Sequence, residues 1–187
     1  MHSLNTILVQ IEKNEQYNKL SEEEKEKSDR EDIYYARETA ESETESYIDT
    51  VYDWRETSTA GRWSNEYPIN VILGRTEPER LIKELERCLS YRTNKIKQYL
   101  SDLKSENNSS DVETISENII KNEDTDNGKW LSDYYLIRLA TLLHGEYTYD
   151  SMFFDTTEYD SKISKAKIEK IKNEIDQYAL VFFDYHF

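Results

Sequence analysis

Side chains able to act as nucleophiles or soft metal ligands are few and scattered: Cys88 is the only cysteine, and the three histidines are His2, His144 and His186. None belongs to an H-E-x-x-H, C-x-x-C or E-x-x-H arrangement, the spacings that bring two ligands to one side of a metal. His144 reads as a cation or donor at a helix C-terminus, where it complements the macrodipole. Cys88 shares a face with Leu81, Leu85 and Leu89 and reads as a buried, inert thiol. Neither G-x-S-x-G nor a phosphate-cradling glycine loop occurs, and the one glycine in "LGRTEPERL" is too little for a P-loop.

Carboxylate, by contrast, is abundant. In "EDIYYARETAESETESYIDTVYDW", Glu31 to Trp54, steps of 100° per residue put Ile33, Ala36, Ala40, Tyr47, Val51 and Trp54 on one stripe of a helix. Glu38, Glu41, Glu45, Asp49, Asp53 and Glu56 form a second stripe on the opposite face. Like charges at this spacing cost about 0.2–0.5 kcal/mol per pair, so the stripe opposes its own helix by on the order of 1–2.5 kcal/mol. Carboxylates four residues apart rise about 6 Å along a helix, comparable to the spacing of phosphates on a nucleic-acid strand. Such a rod is suited to occupy a groove built for DNA or RNA. Tyr34, Tyr35 and Tyr52 beside the stripe, and Arg62, Trp63 and Tyr67 in "GRWSNEYP", are residue types that anchor protein interfaces.

An alternative chemistry for the same carboxylates is to hold Mg²⁺ between facing helices. "EEEKE", Glu22 to Glu26, followed by Glu45 and Asp49, resembles the paired acidic motifs of all-α nucleotide pyrophosphohydrolases, which would imply Mg²⁺-dependent turnover of a nucleotide. The second pair departs from that pattern, being spaced by four residues where the family has three.

The elements that must position these groups read as helices. Leu4, Ile7, Leu8 and Ile11 follow the i, i+3, i+4, i+7 pattern, with Ser3 as N-cap. Two overlapping capping boxes, Ser21 with Glu24 and Ser28 with Glu31, start a long helix that runs to about Glu56. Residues 57–68 form a connection, and residues 69–73 read equally as a short extended segment or as core. Thr76 and Glu79 cap a helix carrying Leu81, Leu85, Cys88, Leu89, Ile96, Leu100 and Leu103. A short helix with Val112, Ile115, Ile119 and Ile120 follows, then an apolar one ending at Gly145 as its C′ residue. "EYTYDSMFFDTTEYD" reads as a packed aromatic loop, and a last helix runs from about Ser161 through Phe182, with residues 180–187 readable as strand instead. The expected fold is all-α: one domain over residues 1–187, a bundle of about six helices, with residues 1–56 readable as a protruding acidic helical arm.

Four glycines and two prolines in 187 residues leave few turn formers, in keeping with long helices. The formal charge is -15, and it is unevenly spread. Residues 1–56 hold 7 basic and 16 acidic groups, residues 57–104 hold 9 and 6, and residues 105–187 hold 8 and 17. The cations of the middle segment, Arg80, Lys83, Arg87, Arg92, Lys95 and Lys97, are placed to neutralise part of the stripe if the fold brings them to it. The overall charge disfavours direct contact with nucleic acid or an anionic membrane and favours a basic protein partner. A lone cysteine, no basic-apolar leader and no apolar run of about 18 residues point to a cytoplasmic chain. The expectation is a non-enzymatic acidic protein, without cofactor or metal, that blocks a nucleic-acid-handling protein as a DNA mimic: an inhibitor of a nuclease, an anti-CRISPR or anti-restriction factor, or an immunity protein. An oligomeric helical scaffold is a further alternative.

Overall fold

The computed structural model describes residues 1–106 and 129–187 and, between them, Asp111, Glu113, Thr114, Ser116 and Glu117. The helix expected around Val112, Ile115, Ile119 and Ile120 rests on residues outside that description. In chain order the elements are β1 (His2–Gln10), α1 (Glu22–Glu43), β2 (Trp54–Glu56), β3 (Val71–Leu73), α2 (Pro78–Glu106), α3 (Lys129–His144), β4 (Phe153–Asp155), α4 (Lys165–Asn173) and β5 (Tyr178–His186). This is a mixed α/β fold with a five-stranded sheet, not an all-α bundle.

β5 is the centre of the sheet. It pairs antiparallel with all nine residues of β1 on one edge, and with β2 and then β3 on the other. β4 adds to the far side of β1 in parallel. Helices cover both faces. Ala36 and Ala40 of α1 pack with Ile7, Val9, Val181, Phe183 and Tyr185 on one side. Leu81, Leu85 and Cys88 of α2, with Ile168 and Ile171 of α4, pack with Leu4, Leu8, Leu180 and Phe182 on the other. Beyond the sheet, the C-terminal half of α2 and α3 close a small cluster of their own around Tyr99, Leu103, Leu139 and Leu142.

Covering both faces is what disguised the strands. Leu4, Asn5, Thr6, Ile7, Leu8 and Val9 are all buried, so β1 shows no in-out alternation, and its apolar residues happen to fall on a helical spacing. The last segment is divided: α4 is N-capped by Ser164 and ends at Asn173, and residues 178–186 are strand. The extended segment expected near 69–73 is β3.

α1 begins as its sequence dictates. The Ser21 side chain accepts from the Glu24 backbone N–H, and the Glu24 carboxylate accepts in return from the Ser21 N–H at 2.8 Å. It ends at Glu43 rather than at Glu56, because Thr44 turns the chain into the core. The Thr44 hydroxyl donates to the Ala40 carbonyl at 2.7 Å and accepts from the Tyr185 hydroxyl at 2.9 Å and from the Arg55 guanidinium. Arg55 also donates to the Glu41 carbonyl, satisfying an orphan acceptor of the helix C-terminus. At α2 the expected Thr76 cap is not formed; the Thr76 hydroxyl turns back to the Leu73 carbonyl, and Pro78 takes the first helical position.

Two buried polar arrangements hold the sheet's margins. Residues 57–70 leave the sheet between β2 and β3, and Asn70 patches the break. Its amide donates to the Thr57 carbonyl at 2.9 Å and the Phe182 carbonyl at 3.3 Å, its side-chain oxygen accepts twice from Arg37, and its backbone carbonyl accepts from Phe182 N–H. Under the end of α1, Tyr52, Tyr147 and Tyr185 cluster, with the Tyr52–Tyr185 rings 4.3 Å apart and the Tyr147 hydroxyl donating to Asn5 at 2.9 Å. Burial raises the phenol pKa of all three, and of Tyr149 to about 12.

Replacing Asn70 with Ala should strand the Arg37 guanidinium and two backbone groups, lowering the unfolding free energy by on the order of 1–3 kcal/mol in urea denaturation. The raised phenols also set an alkaline limit. Their neutral form is favoured by folding, so the contribution is complete below the ordinary tyrosine value of 10.0 and is lost as pH climbs beyond it. The urea midpoint should therefore fall steeply above about pH 10, in step with phenolate absorbance.

Candidate functional site

With α1 ending at Glu43, the stripe of carboxylates is not one helical face. Glu38 and Glu41 remain on α1, Glu45 lies in the turn that follows, Asp49 and Asp53 lie in the loop, and Glu56 lies on β2. The chain nevertheless brings Glu38, Glu41, Glu43, Glu45 and Asp49 to the C-terminal end of α1. Asp49 takes a left-handed backbone, φ 63°, which a short polar side chain tolerates.

Pairing divides the set. Glu45 is bridged to Arg55, Asp53 accepts from or pairs with His186 Nδ1 at 3.0 Å, and Glu56 is held below its usual range by the Ser58 hydroxyl. Glu38, Glu41 and Asp49 have no ion pair among the described residues. The cations of α2 do not reach them. Arg80 pairs with Glu77, Arg87 with Glu84 at 2.6 Å, Lys95 with Asp150 at 3.6 Å, and Arg92 donates to the Leu142 carbonyl. The reason is topological: α1 and α2 lie on opposite faces of the sheet. From residues 57–104 it is Arg75, in the turn before α2, that reaches α1, where it meets Asp29 and Asp32 in the N-terminal half of the helix.

The aromatic candidates separate in the same way. Tyr34 and Tyr35 are exposed on α1, at 62% and 51%. Tyr52 and Tyr67 are core residues; Tyr67 stacks on Phe182 at 4.1 Å. Arg62 is exposed and its backbone N–H donates to the buried Asp184 carboxylate at 3.1 Å, while Trp63 packs half-buried against the α2-side core. Gly61 is required there, because a Cβ would meet the Asp184 side chain and its φ is +52°.

The groups considered for catalysis are not assembled. Glu22–Glu26 cap the start of α1 and Glu45 and Asp49 lie past its end, roughly 30 Å away at 1.5 Å per residue. No group of three or more His, Cys, Asp or Glu positioned for a metal occurs among the described residues. Cys88 is fully buried, and burial pushes its thiol up to about 11. His2 and His186 sit edge to face, 5.0 Å apart, beside Trp54, with His2 Nδ1 on Asp184 at 2.9 Å.

Residues overlooked in the sequence gather around β4. The buried Asp155 pairs with Lys167 at 2.8 Å, and the same ammonium reaches Glu158 at 2.9 Å and Asp160 at 3.4 Å. Asp150 is ringed by Arg138, Tyr99 and Lys95, tying α3 to α2. Tyr159 stands 62% exposed with φ 53°, unusual for a bulky side chain. The one signal for all three lay in "EYTYDSMFFDTTEYD", where acids and tyrosines alternate without helical period.

Cys88 should resist a thiol reagent at pH 8 for as long as the protein stays folded and react at once in denaturant. Comparable rates in both states would place the thiol in a more open setting than the one described. No helix among the described residues is long and apolar enough to cross a membrane. The chain matches no family model, no curated protein and no solved structure.

Proposed function

We propose that the protein acts by binding, and that the acidic surface at the C-terminal end of α1 is the face it offers to a basic partner. The observation that carries this reading is the separation of charge by the sheet. Glu38, Glu41 and Asp49 keep uncompensated carboxylates in or near solvent, while the fold's own basic helix spends its cations on the opposite side. Between residues 22 and 56 the chain carries 14 acidic and 5 basic groups. Such a field steers a cationic surface in and repels phosphate.

A partner that ordinarily grips a nucleic-acid backbone has the required charge. Tyr34 and Tyr35, exposed on the same helix, add amphipathic area at low entropic cost. In this reading the protein is a cytoplasmic inhibitor that competes with nucleic acid for a nuclease, a restriction or CRISPR effector, or a toxin.

The test compares two variants of equal charge. One neutralises the proposed face: Glu38→Gln, Glu41→Gln, Glu45→Gln and Asp49→Asn. The other neutralises Glu79, Glu86, Glu169 and Glu174, which are exposed on the α2 and α4 side. Binding to an arginine-rich peptide at low salt should weaken by about tenfold or more for the first, with much less change for the second, and the difference should shrink as salt shortens the Debye length from about 10 Å. Duplex DNA should compete for the peptide. Equal losses in the two variants would mean that bulk charge alone attracts the peptide and would sink the proposal.

A further inference from the structure

We propose that the concavity between the end of α1, the end of α3 and the β4–α4 loop is an aromatic cage that takes one lysine or arginine side chain of the basic partner. The inference rests on the reading above, since the cage adjoins the acidic face, and it names the anchor point within it.

The cavity measures about 390 Å³ and its walls are of three kinds. Tyr47, partly exposed, and Tyr159, largely exposed, supply ring surface, and the buried Tyr147 backs Tyr47 at the floor. Tyr47 and Tyr147 meet at right angles, with centroids 4.8 Å apart and an interplanar angle of 80°, so they form a corner. Tyr147 is anchored from below by Asn5, and Tyr47 is braced edge-on by Phe154. Tyr159 is the outer ring, and the neighbouring Glu43 carboxylate of α1 raises its phenol pKa. Glu146 and Asp160 supply carboxylates on the rim. The third wall is the C-terminus of α3, at His144 and Gly145, where the partial negative charge of the helix dipole favours a cation.

Each of these features prefers the same guest. Ring faces attract a cation through their quadrupole, the carboxylates pair with it, and the helix end adds to both. No lysine or arginine of the chain lines the cavity among the described residues. Lys167 is shared among Asp155, Glu158 and Asp160, and Lys162 lays its alkyl chain against Gly145 at the margin of the hollow. An anionic guest would meet Glu43, Glu146 and Asp160, of which Glu146 has His144 3.8 Å away and Asp160 shares the Lys167 ammonium with Asp155 and Glu158.

The loop that presents Tyr159 is closed by the Asp155 N–H donating to the Asp160 carbonyl at 2.8 Å. That closure puts Tyr159 in the left-handed region, which glycine adopts freely. Tyr159→Gly therefore removes the outer ring while suiting the backbone, and it serves as the variant that keeps its fold.

The experiment is a titration of the ¹⁵N-labelled full chain, followed by backbone amide shifts, with a short blocked peptide bearing a single arginine. A peptide of the same sequence with citrulline, equal in shape but neutral, is the control. Arginine should produce saturable shifts at Tyr47, Gly145, Glu146 and Asp160, and citrulline should bind about tenfold more weakly or less, in line with a cation held by rings and carboxylates. Tyr159→Gly should weaken the arginine peptide by about three- to tenfold with its spectrum unchanged away from the loop. Glu146→Gln should do the same. Equal shifts from citrulline, shifts centred elsewhere, or an unchanged response in Tyr159→Gly would overturn the cage. The variant neutralised at Glu38, Glu41, Glu45 and Asp49 separates the two ideas: if it loses the arginine-rich peptide yet keeps the single arginine at the cage, both stand. If it keeps the arginine-rich peptide while the wild-type cage still binds arginine, only the acidic-face reading fails.

Discussion

Pairing of β5 along both of its edges, together with cover on both of its faces, is the constraint from which the remaining structure follows. All eight residues from Tyr178 to Tyr185 are buried, so the backbone polar groups of that strand must find partners in β1, β2, β3 or, at Phe182, Asn70. Cover on two faces demands helices on two sides, and the chain supplies α1 to one and α2 with α4 to the other. The charge distribution is then no longer free. An acidic helix and a basic helix that would neutralise each other in a bundle are held apart by the thickness of a sheet, and each must find its partners locally.

Helices with a solvent-facing side were legible because their apolar residues repeat on one stripe, as Leu81, Leu85 and Cys88 do in α2. The Ser21–Glu24 capping box and the glycine after α3 were legible for the same local reason; Gly145 has φ +91°. The two long strands were not. A strand buried on both faces presents a continuous apolar run, and in β1 the polar Asn5 and Thr6 fall where a helix would place its solvent side. The end of α1 was hidden for another reason. Thr44 reads as an ordinary helix residue until Tyr185 and Arg55, far along the chain, converge on its hydroxyl.

The candidate site shows the same division. The abundance of acid near Glu38 to Asp53 is a property of composition and could be counted. That Tyr52 and Tyr67 belong to the interior, whereas Tyr47 and Tyr159 approach a common hollow, depends on the turn at Thr44 and on the closure of the β4–α4 loop. Both are long-range or strained features, and neither leaves a periodic trace. The interior is also unusually polar, with Asn5, Thr44, Asn70 and Asp184 all buried and each bonded. Buried polar groups fully satisfied in this way fix one arrangement of their neighbours, which is what positions the tyrosine corner.

The margins of the sheet carry one more consequence. One border is the three-residue β4, and the other is split into β2 and β3, of three residues each, by the excursion of residues 57–70. Unpaired backbone along a border is the template on which an extended peptide adds as a further strand, and on which like chains stack into fibrils. Borders this short and interrupted give such an addition little to grip. Main-chain addition, which is indifferent to sequence, is thereby disfavoured, and what these borders present to solvent is mainly side chains.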